Sequence, residues 1–464
     1  MAEDTIFAVS SGAGLAGVAV IRLSGERAGP ALAALTGRDC PAPRRARLDR
    51  IRQPDTGEVI DQALTLWFPG PGSFTGEDCA EIQGHGGRAT LAATLAALAA
   101  LPGLRAAEPG EFTRRAVLNG RMDMTQAEGL LDLIHAETDG QRRQALAQTE
   151  GALGRLIGGW RDRLIRMMAH GEAEIDFPDE GDAPDRVLAH LGTDLTGLIA
   201  EMDRHLSDPR RGERLRDGVS VVILGAPNAG KSTLLNLLAR RDVAIVSPEP
   251  GTTRDVVDVA LDLGGVPVRV ADTAGLRETI GAVEREGIRR AVATAEAADL
   301  RIFVVDGTGG DSGLSADRTA LVDHWREGDC VLLNKSDRLD PAALRGAVAA
   351  LSKDGPWTEK VIHAVSAETG DGLDRVLSVL TDRMRTIVPV ATETPLTRLR
   401  HREALEDCVG HLRRALDGMR VGAGAPELLA EDLRLAMRAL GRITGAVDVE
   451  DLLDIVFRDF CIGK

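Results

Sequence analysis

Residues 219–232 read VSVVILGAPNAGKS, and the fold of the chain's middle follows from them. Val219 to Leu224 is an apolar run rich in β-branched residues, the pattern of a buried strand. GAPNAGKS (Gly225 to Ser232) then matches the spacing GxxxxGK[ST], and the leucines after it recur at helical spacing. A strand, a glycine-rich turn and a helix in that order make a phosphate cradle: glycines let backbone N–H groups close on phosphate oxygens at a helix N-terminus, where the dipole favours anions. Lys231 is placed to neutralise the outer phosphates and the Ser232 hydroxyl to ligate Mg2+.

Three further segments follow in the order a guanine-nucleotide fold needs. DTAG (Asp272 to Gly275) ends an apolar run, so Asp272 can support Mg2+ through water and the Gly275 amide can sense the γ-phosphate. NKSD (Asn334 to Asp337) also ends a strand candidate. Guanine offers two N–H donors to the Asp337 carboxylate, whereas adenine would leave that acceptor unsatisfied, so GTP is favoured over ATP. SAE (Ser366 to Glu368) matches a backbone clamp on the guanine oxygen, and GTTRD (Gly251 to Asp255) supplies Thr253 as a second Mg2+ hydroxyl. Lysine usage agrees: only five of the 56 cations are Lys, and Lys231 and Lys335 hold motif positions where the geometry of Arg would not substitute.

Hydrolysis needs a group that orients water. Many small GTPases carry Gln after DTAG, but Leu276 stands there and cannot hydrogen-bond a nucleophile. Glu284, in the acidic stretch RETIGAVEREG, is the candidate. Arg254 could mimic an arginine finger but lies in a motif committed to phosphate and metal. Asn228 could help place a monovalent cation where a finger would otherwise lie.

Composition narrows the partners. At 464 residues, 44% of them hydrophobic, the chain is long enough for several cores. Its net charge of −15 has the wrong sign for a stand-alone nucleic-acid clamp. With no Tyr, 8 Phe and 4 Trp there is little material for a base-stacking platform. The five cysteines (Cys40, Cys79, Cys330, Cys408, Cys461) are far apart, with no CxxC pair, which fits a reduced, cytoplasmic setting. Met1 to Ser10 has no basic n-region and the longest apolar run, Leu91 to Leu101, is far short of a bilayer span, so neither secretion nor membrane insertion is expected.

The pattern divides the chain into four stretches. Residues 1–118 alternate strand candidates with one helix after QGHGG and read as a small α/β domain. Residues 119–216 carry Leu146, Leu153, Leu156, Ile157, Trp160 and Leu164 on one helical face. Residues 217–383 alternate strands and helices, which implies a mostly parallel, doubly wound sheet. Residues 384–464 return to helical spacing. The two helical stretches are expected to join into one bundle interrupted by the nucleotide domain, giving a multidomain α/β plus all-α chain.

Taken together, the motifs resemble the MnmE (TrmE) family of tRNA modification GTPases along essentially the whole chain. The segments that carry the resemblance are DTIFAVSSGAGLAGVAVIRLSG (Asp4 to Gly25), SFTGEDCAEIQGHGG (Ser73 to Gly87), AEPGEFTRRAVLNGRMDMTQAE (Ala107 to Glu128) and the chain end FRDFCIGK (Phe457 to Lys464), around an inserted Ras-like P-loop domain. The resemblance implies a homodimer through a folate-binding-like N-terminal domain. There Arg22, Glu81, Arg121 and Lys464 would hold a 5-formyl- or methylene-tetrahydrofolate. It implies K+ held by Asn228, Ser247, Glu249 and Thr252, in a loop reading SPEPGTTRD where Ser247 replaces a more usual Thr, and it makes Glu284 the catalytic residue. The GTP-binding set becomes Asn228, Ala229, Gly230, Lys231, Ser232, Thr233, Ser247, Thr252, Thr253, Asp272, Thr273, Ala274, Gly275, Asn334, Lys335, Asp337, Ser366 and Ala367.

By the same resemblance an FAD-dependent partner, MnmG, supplies the redox chemistry and most of the grip on tRNA. The pair would place a carboxymethylaminomethyl or aminomethyl group on carbon 5 of the wobble uridine. Cys461, beside the folate, is a candidate catalytic thiol. The competing reading is a GTPase switch in ribosome assembly with no modification chemistry of its own. A third, an aminomethyltransferase acting alone, lacks any flavin or nicotinamide fingerprint.

Overall fold

The computed structural model describes residues 4–12, 14–176, 184–245, 258–272, 295–353, 357–389, 394–421, 426–447, 457, 460 and 463. The chain forms two compact units. The first gathers Met1–Leu131, Ala147–Ala200 and Glu403–Lys464, and the second gathers Asp132–Leu146 and Glu201–Arg402. Among the described residues no helix is long and apolar enough to cross a membrane.

In the first unit six strands, β1 (Thr5–Val9), β2 (Ala19–Ser24), β3 (Arg47–Arg52), β4 (Val59–Phe68), β5 (Cys79–Gly84) and β6 (Leu104–Ala106), make one sheet in the order β3-β4-β5-β2-β1-β6. Neighbours are antiparallel except β1 and β6. Period-two alternation sends Ile21, Leu23, Ile51, Ala63, Ala80 and Ile82 to one face, where they meet Leu32 and Leu35 of the helix Ala28–Thr36 and Leu98 of the helix Arg88–Ala99. Arg22, Glu81 and Leu66, cross-strand neighbours in register, share the opposite face.

The helical part of this unit is built on long amphipathic helices. Leu153, Ile157, Trp160 and Leu164, spaced three or four apart on the helix Ala152–Asp176, are at most 1% exposed, and that helix packs against Pro426–Thr444. Beyond it, Phe457 and Phe460 are buried with Met124, Ala127 and Leu131, so the end of the chain returns to residues that directly follow the N-terminal domain.

The second unit centres on another six-stranded sheet: β7 (Val219–Leu224), β8 (Asp258–Leu263), β9 (Val266–Asp272), β10 (Leu300–Asp306), β11 (Cys330–Asn334) and β12 (Ile362–Ala364), in the order β12-β11-β10-β7-β9-β8. All pairs are parallel except the β8–β9 hairpin. Both faces are covered: Val221, Ile223, Ile302, Val304 and Leu332 face the core shared with the helices Lys231–Leu238 and Leu373–Ile387, while Phe303, Val305, Val331 and Leu333 face Leu314, Ala347, Leu351 and Trp357. That double burial is why CVLLN of β11 reads as a continuous apolar run instead of alternating.

Candidate functional site

The glycine-rich turn leaves β7 and enters the helix Lys231–Leu238 through Gly230, which has φ +99°. A Cβ there would stand 2.1 Å from Asn334 Nδ2, so only glycine lets the NKSD amide approach the turn. Asn228 also has a positive φ, +60°, which asparagine tolerates better than most residues, and it is exposed at the tip of the turn. Lys231 Nζ donates to the carbonyls of Gly225 (3.0 Å) and Ala226 (2.8 Å), keeping its ammonium inside the turn. The Ser232 hydroxyl donates to Asp272 Oδ2 at 2.6 Å. The turn and the end of β9 thus bring a hydroxyl and a carboxylate side by side, hard oxygen donors of the kind Mg2+ takes, directly or through water.

The NKSD and SAE loops are tied to this turn. Asn334, 3% exposed at the end of β11, donates through Nδ2 to Ala229 O (2.7 Å) and accepts at Oδ1 from Ala367 N–H (2.9 Å). Ser336 N–H donates to Val365 O, and Ser366 Oγ accepts from Thr369 N–H. Lys335 Nζ donates to Asp306 Oδ2 at the end of β10, beside the Asp306 Oδ1 bonds from the Thr308 N–H and hydroxyl. Burial alone would raise the Asp306 carboxyl, but the hydrogen bonds from Lys335 and Thr308 overcome it and hold the group below the usual aspartate range. Asp337 is exposed next to Arg338, which pairs with Glu368 across the two loops at 3.0 Å. Ala229, Gly230, Lys231, Ser232, Asp272, Asn334, Lys335, Ser366 and Ala367 are therefore joined by direct or one-residue links, with Asn228, Thr233 and Asp337 exposed at the rim. Ser247, Glu249, Thr252, Thr253, Arg254, Thr273, Ala274, Gly275, Leu276 and Glu284 lie outside the described residues.

In the first unit Arg22 Nε and Nη2 both donate to Glu81 Oε1, at 3.1 and 2.9 Å, as the register of β2 with β5 requires. The guanidinium lies 5.2 Å from the Phe74 ring centroid and 6.0 Å from that of Phe112. Phe74 belongs to a loop, residues 69–78, fixed by buried groups: Ser24 Oγ meets Thr75 Oγ1 and donates to Glu77 Oε2, both at 2.6 Å, and Arg115 reaches Glu77 at 3.2 Å. Arg121, exposed, lays its stem against Gly76 of the same loop. Arg22 and Glu81, read from the sequence as separate contacts, are a pair, and Arg121 meets the loop that carries Phe74. The aromatic seat of Arg22 and the Asp306–Lys335 pair were missed by sequence reasoning. An acidic residue closing the run RIFVVD one strand before NKSD was the signal for the latter.

Cys461 and Lys464 lie outside the described residues, but Gly463 between them does not. Ser10 Oγ donates to Gly463 O at 2.8 Å. Gly463 has φ +97°, and a Cβ on it would fall 2.1 Å from Val9 O. The tail is thereby set against the end of β1, whose Ala8 pairs with Arg22.

Comparison with known proteins bears on both units. A family model described as the MnmE helical domain matches residues 124–461, and one described as the GTP-binding protein TrmE N-terminus matches residues 5–121. A tRNA modification GTPase MnmE from Parvibaculum lavamentivorans is 56% identical over 461 residues, covering 99% of this chain and 100% of its own. Another from Rhodospirillum rubrum is 52% identical over 480 residues, covering both chains fully. The human mitochondrial 5-taurinomethyluridine-[tRNA] synthase subunit GTPB3 is 46% identical over 476 residues, covering 99% of this chain and 93% of its own. With a glycine-rich turn tied to the NKSD loop and this likeness along its whole length, the chain belongs to the MnmE family of tRNA modification GTPases.

Proposed function

We propose that this GTPase is K+-dependent and works with an FAD-dependent partner, MnmG. Together they install a carboxymethylaminomethyl or aminomethyl group on carbon 5 of the wobble uridine, using a folate one-carbon unit. The observation that carries this reading is the contact of Ser10 with Gly463, which holds Gly463 at the end of β1, the neighbour of the strand bearing Arg22. A GTPase switch for ribosome assembly would have no need of such a return.

Each bound group finds suitable residues. Ser232 and Thr253 would hold Mg2+, which neutralises phosphate charge, with Asp272 already hydrogen-bonded to the first. Asn228, Ser247, Glu249 and Thr252 would hold K+, which supplies the positive charge an arginine finger gives elsewhere. Glu284 orients the attacking water by accepting its proton in a hydrogen bond, and Asp337 reads the base. Arg22, Arg121 and Lys464 suit the glutamyl carboxylates of a tetrahydrofolate, and Glu81 its paired N–H donors. Arg22 uses two of its five donors on Glu81, leaving others for a ligand. Cys461 is the candidate thiol. The acidic chain meets tRNA mostly through MnmG and acts as a cytoplasmic homodimer.

The deciding experiment is the mass of the wobble uridine in tRNA from cells lacking this protein, with and without the wild-type copy. Loss and restoration of the modification is the expected result; full modification without the protein would overturn the reading. Retention of folate by the purified protein separates it from the bare switch.

A further inference from the structure

The hairpin β8–β9 has the nucleotide site at one end. β8 follows GTTRD in the sequence, and β9 ends on Asp272, the acceptor of the Ser232 hydroxyl. Its ladder is continuous from Asp258↔Ala271 to Leu263↔Val266, which links Asp272 to the turn about 20 Å away at 3.3 Å per residue.

At that turn Gly140 N–H donates to Gly265 O at 3.1 Å, and a Cβ on Gly140 would stand 2.2 Å from the same oxygen. Gly140 opens the helix Asp139–Thr149, which begins in the unit holding the nucleotide sheet and ends in the other. The segment is also fastened where the chain enters and leaves the sheet: Asp132 Oδ1 accepts from Arg216 Nε (3.1 Å) and Arg398 Nη2 (2.8 Å), and Gln141 Nε2 donates to Arg216 O (2.9 Å). The hairpin turn thus meets this segment at Gly140, at the end of β9 opposite Asp272.

We propose that Gly140 is a positioning residue through which the nucleotide state, carried by the β8–β9 hairpin, is passed to residues 132–146, and that this contact couples GTP hydrolysis to tRNA modification. The inference rests on the family's dual activity, and its test is built to fail separately from it.

Hydrogen exchange on the wild-type protein is the first arm. Protection of the Gly140 amide should differ between the GDP-bound protein and the protein bound to a non-hydrolysable GTP analogue; equal protection in both states overturns the proposal. The second arm is Gly140→Ala, whose methyl displaces Gly265 O. GTP affinity and hydrolysis should stay within about twofold, while wobble-uridine modification in cells carrying only this variant falls about tenfold, a typical size for coupling between sites. Gly158→Ala, on the helix Ala152–Asp176 where nothing lies within 4 Å of the added carbon, should leave all of these readouts unchanged. Normal modification by Gly140→Ala with an exposed Gly140-region amide overturns the proposal, as does a parallel loss of hydrolysis and modification. Failure of the wild-type copy to restore modification would instead overturn the tRNA reading.

Discussion

Asn334 and Ala229, 105 residues apart in sequence, are joined by a 2.7 Å hydrogen bond from the buried side-chain amide of the first to the carbonyl of the second. The same amide accepts from Ala367, so one side chain ties the phosphate turn, the NKSD loop and the SAE loop together.

Asn334→Ala should therefore damage binding and stability together. It leaves the Ala229 carbonyl and the Ala367 N–H without this partner in a buried place, at roughly 1–3 kcal/mol for each group. GDP affinity should fall by at least about tenfold, and the urea midpoint should drop without a change in m. A fluorescent-nucleotide titration and a urea melt check it; unchanged affinity with a lowered midpoint would separate the fold from the site.

The nucleotide turn was legible because its signals are local: VVILG, the glycines and Lys231 are neighbours in sequence and their spacing alone fixes strand, turn and helix. The Asn334 bridge and the Arg22–Glu81 pair were not. Each depends on which strands are adjacent and in what register, and Arg22 meets Glu81 only because β2 lies beside β5. Residues with a strong motif role can conceal a second one: Asn334 was read as a nucleotide ligand, while its side chain bonds the backbone of two other loops. Gly140 gave no signal at all, since a glycine in the first turn of a helix is unremarkable until the opposing carbonyl is in place.

The Asp306–Lys335 pair predicts a direction with pH. The folded Asp306 carboxyl sits below its ordinary value, so its contribution is present above the unfolded pKa of about 3.9 and is lost as pH falls through the folded one. The stability difference between wild type and Asp306→Asn should be constant from about pH 6 to 8 and shrink below about pH 4. Thermal midpoints from about pH 8 down through the carboxylate range test it, and a gap that does not narrow at all below about pH 4 would mean the carboxylate charge is not what matters.

Hydrolysis tests the cation and the water-orienting residue separately. With Leu276 unable to position water and Asn228 at the turn's tip, K+ should stimulate turnover over Na+, and equal rates would remove the ion from the mechanism. Glu284→Ala should lower kcat by at least about a hundredfold, the scale of a general-base loss, with GTP affinity nearly unchanged. An undiminished rate would return Glu284 to an ordinary surface carboxylate.

Two thiols should be inert in the folded protein. Burial, helped by Asp329, pushes Cys330 up to about 12, and burial with Asp407 does the same for Cys408. At about pH 8 a thiol of that kind is ionised in roughly one molecule in ten thousand, and the thiolate is the reactive form. Iodoacetamide should therefore modify neither until denaturant is added. Peptide mass mapping that found either alkylated at the unfolded rate in native buffer would contradict their burial in the two cores.

Gly463→Ala addresses the tail. At φ +97°, with Val9 O 2.1 Å from the position a Cβ would take, alanine cannot occupy the site without moving either the tail or the end of β1. Either shift pulls Gly463 away from the end of β1 and breaks the bond from the Ser10 hydroxyl. Folate retention and wobble modification should fall by about tenfold or more while GTP hydrolysis, performed in the other unit, keeps its rate. Ser10→Ala removes only the hydroxyl and should give a milder loss of the same kind, on the order of a few-fold for one hydrogen bond. A Gly463→Ala protein that binds folate as the wild type does would show that the returning chain end seals the unit without serving its ligand.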